Sequence, residues 1–216
     1  MGFKGVIFDL DGSLVNSLKD ITDSMNAVLA AHGFPTHATE DYKAFVGHGM
    51  TRLVISALPE NKRNDAQVQQ CRDALLTEYG RNYLATTRPY PGIPELLGEL
   101  DRRGLKIAVF SNKVDDLTKK IMAALFPGYH FTVVLGSGPR LPEKPDPTGV
   151  LIISGKMGIK PPDLIYVGDS DVDMQTAGNA GMYGAGALWG FRTKEELIAN
   201  GAKIILDQPL DLVAIL

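Results

Sequence analysis

Gly5-Val6-Ile7-Phe8-Asp9-Leu10-Asp11-Gly12-Ser13 is the stretch on which the fold turns. A short apolar run leads straight into two carboxylates, and a glycine then lets the chain bend sharply. The run lacks strict alternation, as expected of a parallel strand buried on both faces. Working outward, similar runs recur at 106–110, 131–135 and 163–167, with weaker ones at 184–188 and 203–206. Helical periodicity fills the intervals, with helices expected at 51–58, 65–84, 94–103, 115–125, 148–157, 172–180 and 193–200. One more is capped by Asn16 or Ser17, carries Leu18, Ile21, Met25, Val28 and Leu29 on one stripe, and ends at Gly33. Strands alternating with helices predict an α/β fold, a doubly wound parallel sheet.

One interval is too long for that pattern. A βαβ unit needs about 30 residues, and Gly12 to Lys106 holds roughly three such units, nearly all helical in pattern. A small helical cap domain at 17–88 is therefore expected, inserted into an α/β core of 1–16 and 89–216. The chain would re-enter the core near Pro89-Tyr90-Pro91-Gly92. A string of helices packed on the sheet is the alternative.

Composition narrows the setting. The chain has 216 residues, 44% of them hydrophobic, enough for a substantial core. A net charge of −3 carries no basic bias, which argues against nucleic acid as partner. A small anionic ligand would need cations placed locally. Cys71 is the single cysteine, so no intrachain disulfide can form and a reducing, intracellular setting is expected. No signal-like stretch precedes Asp9, Val6 replaces the Ser or Thr of a myristoylation signal, and no apolar run suits a membrane span. A soluble, cytoplasmic protein is expected, with no membrane partner.

Four polar clusters follow four of the strands. Asp9 and Asp11 fall on the same side of theirs and repel each other unless a cation or a shared proton intervenes. Alone, such a pair is usually a solvated turn or a cap. Ser111-Asn112-Lys113 follows the run ending at Phe110, where a hydroxyl and main-chain N–H groups can hold a phosphate oxygen, or simply cap a helix. Lys144 sits in Lys-Pro-Asp-Pro, where the prolines stiffen the chain around one cation. Gly168-Asp169-Ser170-Asp171-Val172-Asp173 brings three acids into five residues. Opposite the Asp9 pair they would make a hard-oxygen site suited to Mg²⁺, although acids also favour a helix start. All four lie at carboxyl ends of parallel strands, where doubly wound folds bind ligands. Their joint order outweighs each cluster taken singly.

That order resembles the haloacid dehalogenase superfamily, whose phosphatases carry an Asp-x-Asp-Gly-Thr motif, a Ser/Thr motif, a Lys and a Gly-Asp-x-x-x-Asp stretch. The resemblance covers essentially the whole chain and implies a Rossmann-like core with a helical cap after the first strand. Ser13 replaces the Thr of the first motif and keeps its hydroxyl, and Asn16 stands where many relatives have Asp. By motif position, Asp9 resembles the nucleophile and Asp11 the general acid and base of a route through an aspartyl-phosphate. The resemblance implies that Gly12, Ser111, Asn112 and Lys144 bind the substrate phosphate, with Ser111 and Lys144 also catalytic. It implies Mg²⁺ held by Asp9, the Asp11 carbonyl and Asp169, with Asp173 in support. A dehalogenase would not require Asp11.

Gly47-His48-Gly49-Met50-Thr51-Arg52, Ser111-Asn112-Lys113 and Trp189-Gly190-Phe191 are similar to segments of the phosphoglycolate phosphatases within that superfamily. This implies a small phosphorylated metabolite as ligand, 2-phosphoglycolate first, with Arg52 holding its carboxylate bidentately or else pairing with an acid on the cap. The alternatives are a sugar phosphomutase, another small-metabolite or pyrophosphate phosphatase of the superfamily, or a non-catalytic binding protein on this fold. Trp189-Gly190-Phe191 is expected to pack beside the site. No Gly-x-x-x-x-Gly-Lys loop is present, and the histidines lack zinc-ligand spacing.

Overall fold

The computed structural model describes residues 2–216. Six parallel strands form the central sheet: β1 (Gly5–Phe8), β4 (Lys106–Val114), β5 (Val133–Ser137), β6 (Leu164–Gly168), β7 (Tyr183–Ala187) and β8 (Ile204–Leu206). Their order is β5-β4-β1-β6-β7-β8, so the winding reverses beside β1. Gly5 to Phe8 pair in register with Lys106 to Val109 on one side and with Leu164 to Val167 on the other. The β1 side chains alternate between two cores. Val6 and Phe8 pack with Ile93, Leu97 and Ile121 on one face. Ile7 packs with Val150, Ile153 and Met157 on the other. Helices α5 (Ile93–Arg102) and α6 (Asp115–Leu125) supply the first face. Helices α7 (Thr148–Met157) and α8 (Asp171–Ala180) supply the second, which explains why the strands are apolar without alternation.

After β1 the chain makes a two-residue strand, β2 (Val15–Asn16), and runs through four helices: α1 (Leu18–Ala31), α2 (Thr39–Phe45), α3 (Gly49–Ala57) and α4 (Asp65–Asn82). It returns as β3 (Arg88–Pro89), paired antiparallel with β2. The four helices share a hydrophobic cluster built on Met25, Leu29, Tyr42, Val54, Leu58, Leu75 and Tyr79. Cys71 is fully buried in it. Two polar clamps close the base of the excursion. Asp20 on α1 accepts the main-chain N–H and hydroxyl of both Thr86 and Thr87 at 2.5–3.0 Å. Arg192, just before α9 (Lys194–Ala199), donates to the carbonyls of Lys43 and Val46 at the end of α2.

Several elements differ from expectation. Helix α2 escaped the sequence reading because its seven residues bury only Tyr42, too few to show a stripe. β4 continues past Phe110 to Val114, so Ser111, Asn112 and Lys113 belong to the strand end and are held by sheet register. Ser17 occupies the N-cap of α1 but its hydroxyl does not cap; it donates to Asp11 Oδ1 at 2.5 Å. The Asn16 side chain accepts from Leu18 N in its place. Among the described residues no helix is long and apolar enough to cross a membrane.

Candidate active site

The carboxyl ends of β1, β4 and β6 bring Asp9, Ser111, Asn112, Lys113 and Asp169 together, and Lys144 and Asp173 close the group from behind. Ser13, Asp9, Ser111, Lys144, Asp169 and Asp173 are all at most 4% exposed. Buried charge is costly unless paired, and the pairing here is specific. Lys144 Nζ lies 2.9 Å from Asp9 Oδ1 and 2.7 Å from Asp173 Oδ1. Tyr166 donates to the same Asp173 oxygen at 3.2 Å, and Ser170 N and Oγ donate to the other. Both Asp173 oxygens are therefore engaged, and its evident work is to hold Lys144 toward Asp9.

Asp169 accepts from Ser13 Oγ at 3.1 Å and from Phe191 N at 2.9 Å. Trp189 Nε1 donates to the Ser13 carbonyl at 2.9 Å. The Trp-Gly-Phe loop thus does more than pack beside the site. It fixes the Asp169 carboxylate through main chain, a role no side-chain pattern announces. Gly12 adopts φ +86°, and the place of its absent Cβ is filled by the Asp169 carboxylate. Any side chain there would strain the turn and displace that acid.

Asp11 is held by Ser17 at Oδ1 and by Lys113 Nζ at Oδ2, 2.8 Å away. Lys113 also donates to Tyr79 OH of α4 at 3.0 Å and lies 4.5 Å from that ring's centroid. Burial works against the Lys113 charge, but Asp11 and Tyr79 more than offset it and raise its pKa. Burial pushes the Asp9 carboxyl up to about 7; Lys144 opposes this, while Asp173 and Asp11 reinforce it. Burial raises Asp169 well above the usual carboxylate range, with Asp173 and Asp9 adding to it.

These carboxyls are uncomfortable for one reason. Were all four acids (Asp9, Asp11, Asp169, Asp173) ionised against the two lysines (Lys113, Lys144), the site would carry an excess of two negative charges. Asp9 Oδ1 accepts no well-formed hydrogen bond despite its nearness to Lys144. Asp9, Asp169 and Asp173 each offer an oxygen within 4.8 Å of the others'. Oxygens bound to one small hard cation lie about 3–4 Å apart. The all-oxygen donor set and the charge deficit both fit a divalent cation.

Two substrate-binding expectations are corrected. Arg52 is exposed on α3, whereas Met50 and Leu53 of the same helix line the cavity over Asp9. With 3.6 residues per turn, pointing Leu53 inward turns Arg52 away. Gly12 does not present its amide to a ligand either, because that N–H donates to the Val15 carbonyl within the turn. Asn112 is at the site, but its side chain is spent. Nδ2 donates to the carbonyls of Gly47 and Lys144, and Oδ1 accepts from Lys144 N. It braces the Lys144 loop and the segment before α3.

Lys113 is the residue that sequence reading left unassigned. It was visible as the third member of Ser-Asn-Lys, but strand alternation gives no hint that the ammonium would reach Asp11. A cavity of about 50 Å³ opens over Asp9, Asp11 and Ser111, walled by Ile21, Val46, Met50, Leu53, Leu75 and Tyr79; among the described residues that line it, Lys113 is the single cation.

The chain is similar to known proteins along nearly its whole length. Residues 6–187 match the family model of haloacid dehalogenase-like hydrolases. A phosphoglycolate phosphatase of Aquifex aeolicus is 32% identical over 211 residues, covering 98% of this chain and 95% of that protein. An N-acetylmuramic acid 6-phosphate phosphatase of Pseudomonas aeruginosa is 30% identical, covering 100% and 96%. A crystal structure of a Lactobacillus delbrueckii protein assigned to the phosphoglycolate phosphatases superposes with a TM-score of 0.94 at 29% identity, covering 100% of this chain and 99% of that one.

Proposed function

We propose a substrate and a mechanism on one premise: the chain belongs to the haloacid dehalogenase-like hydrolases and is a phosphatase of that family. The substrate is 2-phosphoglycolate, hydrolysed to glycolate and phosphate. The carrying observation is the size and charge of the cavity above Asp9. The phosphoryl group over Asp9 takes up much of a cavity of about 50 Å³, and the glycolate part adds only five non-hydrogen atoms to it, whereas an N-acetylated sugar acid adds several times as many. The walls are apolar apart from the acids, Ser111, Asn112, Lys113 and the Tyr79 hydroxyl, which suits a short anion and not a polyhydroxylated ring.

In the first step a carboxylate oxygen of Asp9 attacks phosphorus. The Asp9–phosphorus bond forms, the ester P–O bond breaks, and Asp11 gives its proton to the departing glycolate oxygen. In the second, Asp11 takes a proton from a water that attacks the aspartyl-phosphate, and phosphate and free Asp9 result. Ser111 and main-chain N–H groups at the end of β4 hold phosphoryl oxygens, and Lys144 offsets charge on Asp9 and the phosphoryl group. Asp9, Asp169 and the Asp11 carbonyl hold Mg²⁺, with Asp173 in support. When bound, Mg²⁺ supplies the positive charge that lets an anionic nucleophile meet an anionic phosphate. Residues 17–88 act as a lid, hinged at the paired β2 and β3, whose closure excludes water and strengthens these charge interactions.

A panel of phosphate monoesters assayed with Mg²⁺ tests this reading. Phosphoglycolate should give the highest kcat/KM, ahead of hexose 6-phosphates and N-acetylmuramic acid 6-phosphate. A sugar phosphate turned over better than phosphoglycolate would refute the substrate, and sugar-bisphosphate-dependent turnover would point to a mutase.

A further inference from the structure

Recognition of a second anionic group needs a cation near the leaving-group oxygen, and the described residues leave few to choose from. Arg52 is turned to solvent. Arg192 is committed to the Lys43 and Val46 carbonyls. Lys144 lies between Asp9 and Asp173, behind the phosphoryl position. His48 pairs with Asp171 at 3.3 Å, outside the cavity lining. Lys113 alone lines the cavity, with its side chain 4% exposed. We propose that Lys113, set between Asp11 and Tyr79, is the specificity-determining residue that receives the substrate carboxylate and so selects phosphate esters of short 2-hydroxy acids.

The geometry supports that class in particular. Asp11 must touch the ester oxygen to protonate it, and Lys113 Nζ stands 2.8 Å from Asp11 Oδ2. In the phosphate ester of a 2-hydroxy acid, one carbon separates the ester oxygen from the carboxylate carbon. A cation beside the proton donor therefore meets that carboxylate, while one farther off would meet the anion of a longer chain. An ammonium has three N–H donors. Asp11 and Tyr79 take two, which leaves a third on a residue that lines the cavity. Tyr79 holds the ammonium through its hydroxyl and its ring face. Because Tyr79 lies on α4, the positioning contact exists only while the helices α1–α4 are seated on the sheet. Carboxylate binding and seating of the helices then favour each other. Phosphoglycolate is the smallest member of the class.

This inference rests on the phosphatase reading and deepens its substrate. The experiment compares kcat/KM for phosphoglycolate with that for ethyl phosphate, which carries a methyl in place of the carboxylate, in the Mg²⁺-loaded full chain. The wild-type protein should favour phosphoglycolate by about 10-fold or more, since a charge-assisted hydrogen bond in a dry site is worth about that factor or above. Lys113→Met should bring the ratio to within about 3-fold of unity, mainly through KM for phosphoglycolate. Lys113→Arg should restore part of it, and Tyr79→Phe should reduce it about 3- to 10-fold. Both rates of a ratio come from one sample, so incomplete folding cancels. If Lys113→Met does not fold at all, Tyr79→Phe carries the test. A wild-type ratio near unity would overturn the substrate reading and this inference together. A high wild-type ratio kept in Lys113→Met, or in Tyr79→Phe when that is the only folded variant, would overturn this inference alone.

Discussion

Replacing Asp20 by Asn removes one charge and turns one carboxylate oxygen into a donor, at the point where the chain leaves and re-enters the sheet. Asp20 is 2% exposed and accepts from four donors, the N–H and hydroxyl of Thr86 and of Thr87. Asparagine keeps a single acceptor oxygen, which two hydrogen bonds fill. Whichever way the amide turns, a buried donor loses its acceptor or a hydroxyl must reverse. A stranded buried donor costs about 1–3 kcal/mol, and losing charge assistance in the remaining bonds adds about 1 kcal/mol. The expected loss is therefore about 2–4 kcal/mol, a large part of the ~5–15 kcal/mol of a typical domain. Urea unfolding should show a lower midpoint at unchanged slope. The pH dependence supplies a second check. Burial alone would raise the Asp20 pKa, but the hydrogen bonds from Thr86 and Thr87 outweigh it and lower the pKa. A depressed carboxylate stabilises the fold above its unfolded pKa of about 3.9 and loses that contribution as pH falls through its folded value. The gap between wild type and Asp20→Asn should thus be constant from pH 7 to about 5 and narrow in stronger acid. A loss below about 0.5 kcal/mol at pH 7, or a gap that widens in acid, would refute the clamp.

Three further outcomes follow from the site. Asp9→Asn should abolish acid-stable phosphate labelling of the protein and lower turnover by at least about 10³-fold; a labelled, active variant would overturn the nucleophile. The excess of two negative charges predicts that millimolar Mg²⁺ raises the melting temperature and that EDTA abolishes both the shift and activity; full activity in excess EDTA would end the metal role. Gly190→Ala would drive a methyl into Asp169 and the Gly12 main chain, so the Mg²⁺-dependent thermal shift and turnover should each weaken by about 10- to 100-fold in metal affinity or rate. Unaltered metal titration in that variant would show that the loop does not orient Asp169.

How much of this was legible depends on whether the signal was local. The β1 run and its two acids were legible because a strand buried on both faces must be apolar and must end at the sheet edge. The strand at 106–110 was expected to stop at Phe110, yet pairing continues to Val114 after a register shift against β5. Polar residues inside a strand contradict the apolar pattern, and only the neighbouring strand shows why they are tolerated. Asp20 read as an ordinary acid in the first helical turn. Its partners lie 66 and 67 residues away, beyond any periodicity. Arg52 misled for the opposite reason. Its local motif was suggestive, and the rotation of α3 that sends it outward is set by Leu53, Val54 and Ala57 packing inward. The helix obeys its apolar stripe, not its charged residue.

A common logic links the clamp, the cavity and the lysine. The helices α1–α4 contribute no charge to the cavity lining; they bring a phenol and an apolar wall. Such a cover changes what the sheet-borne charges are worth. Two unit charges 4 Å apart interact by about 1 kcal/mol in bulk water and about 4 kcal/mol at an effective dielectric of 20. Lys113 on an open sheet edge would discriminate weakly between a carboxylate and a methyl. Under Met50, Leu53, Leu75 and Tyr79 the same ammonium becomes selective without acquiring a new partner. Selectivity and catalysis then depend together on how firmly the helices are seated, and that is set by Asp20, Asn112 and Arg192 at their base. Weakening the Arg192 clamp should therefore lower the preference for phosphoglycolate over ethyl phosphate more than it lowers ethyl phosphate turnover. Arg192→Ala assayed on the two esters checks this, and a parallel fall on both would show that the helices exclude water equally for either substrate.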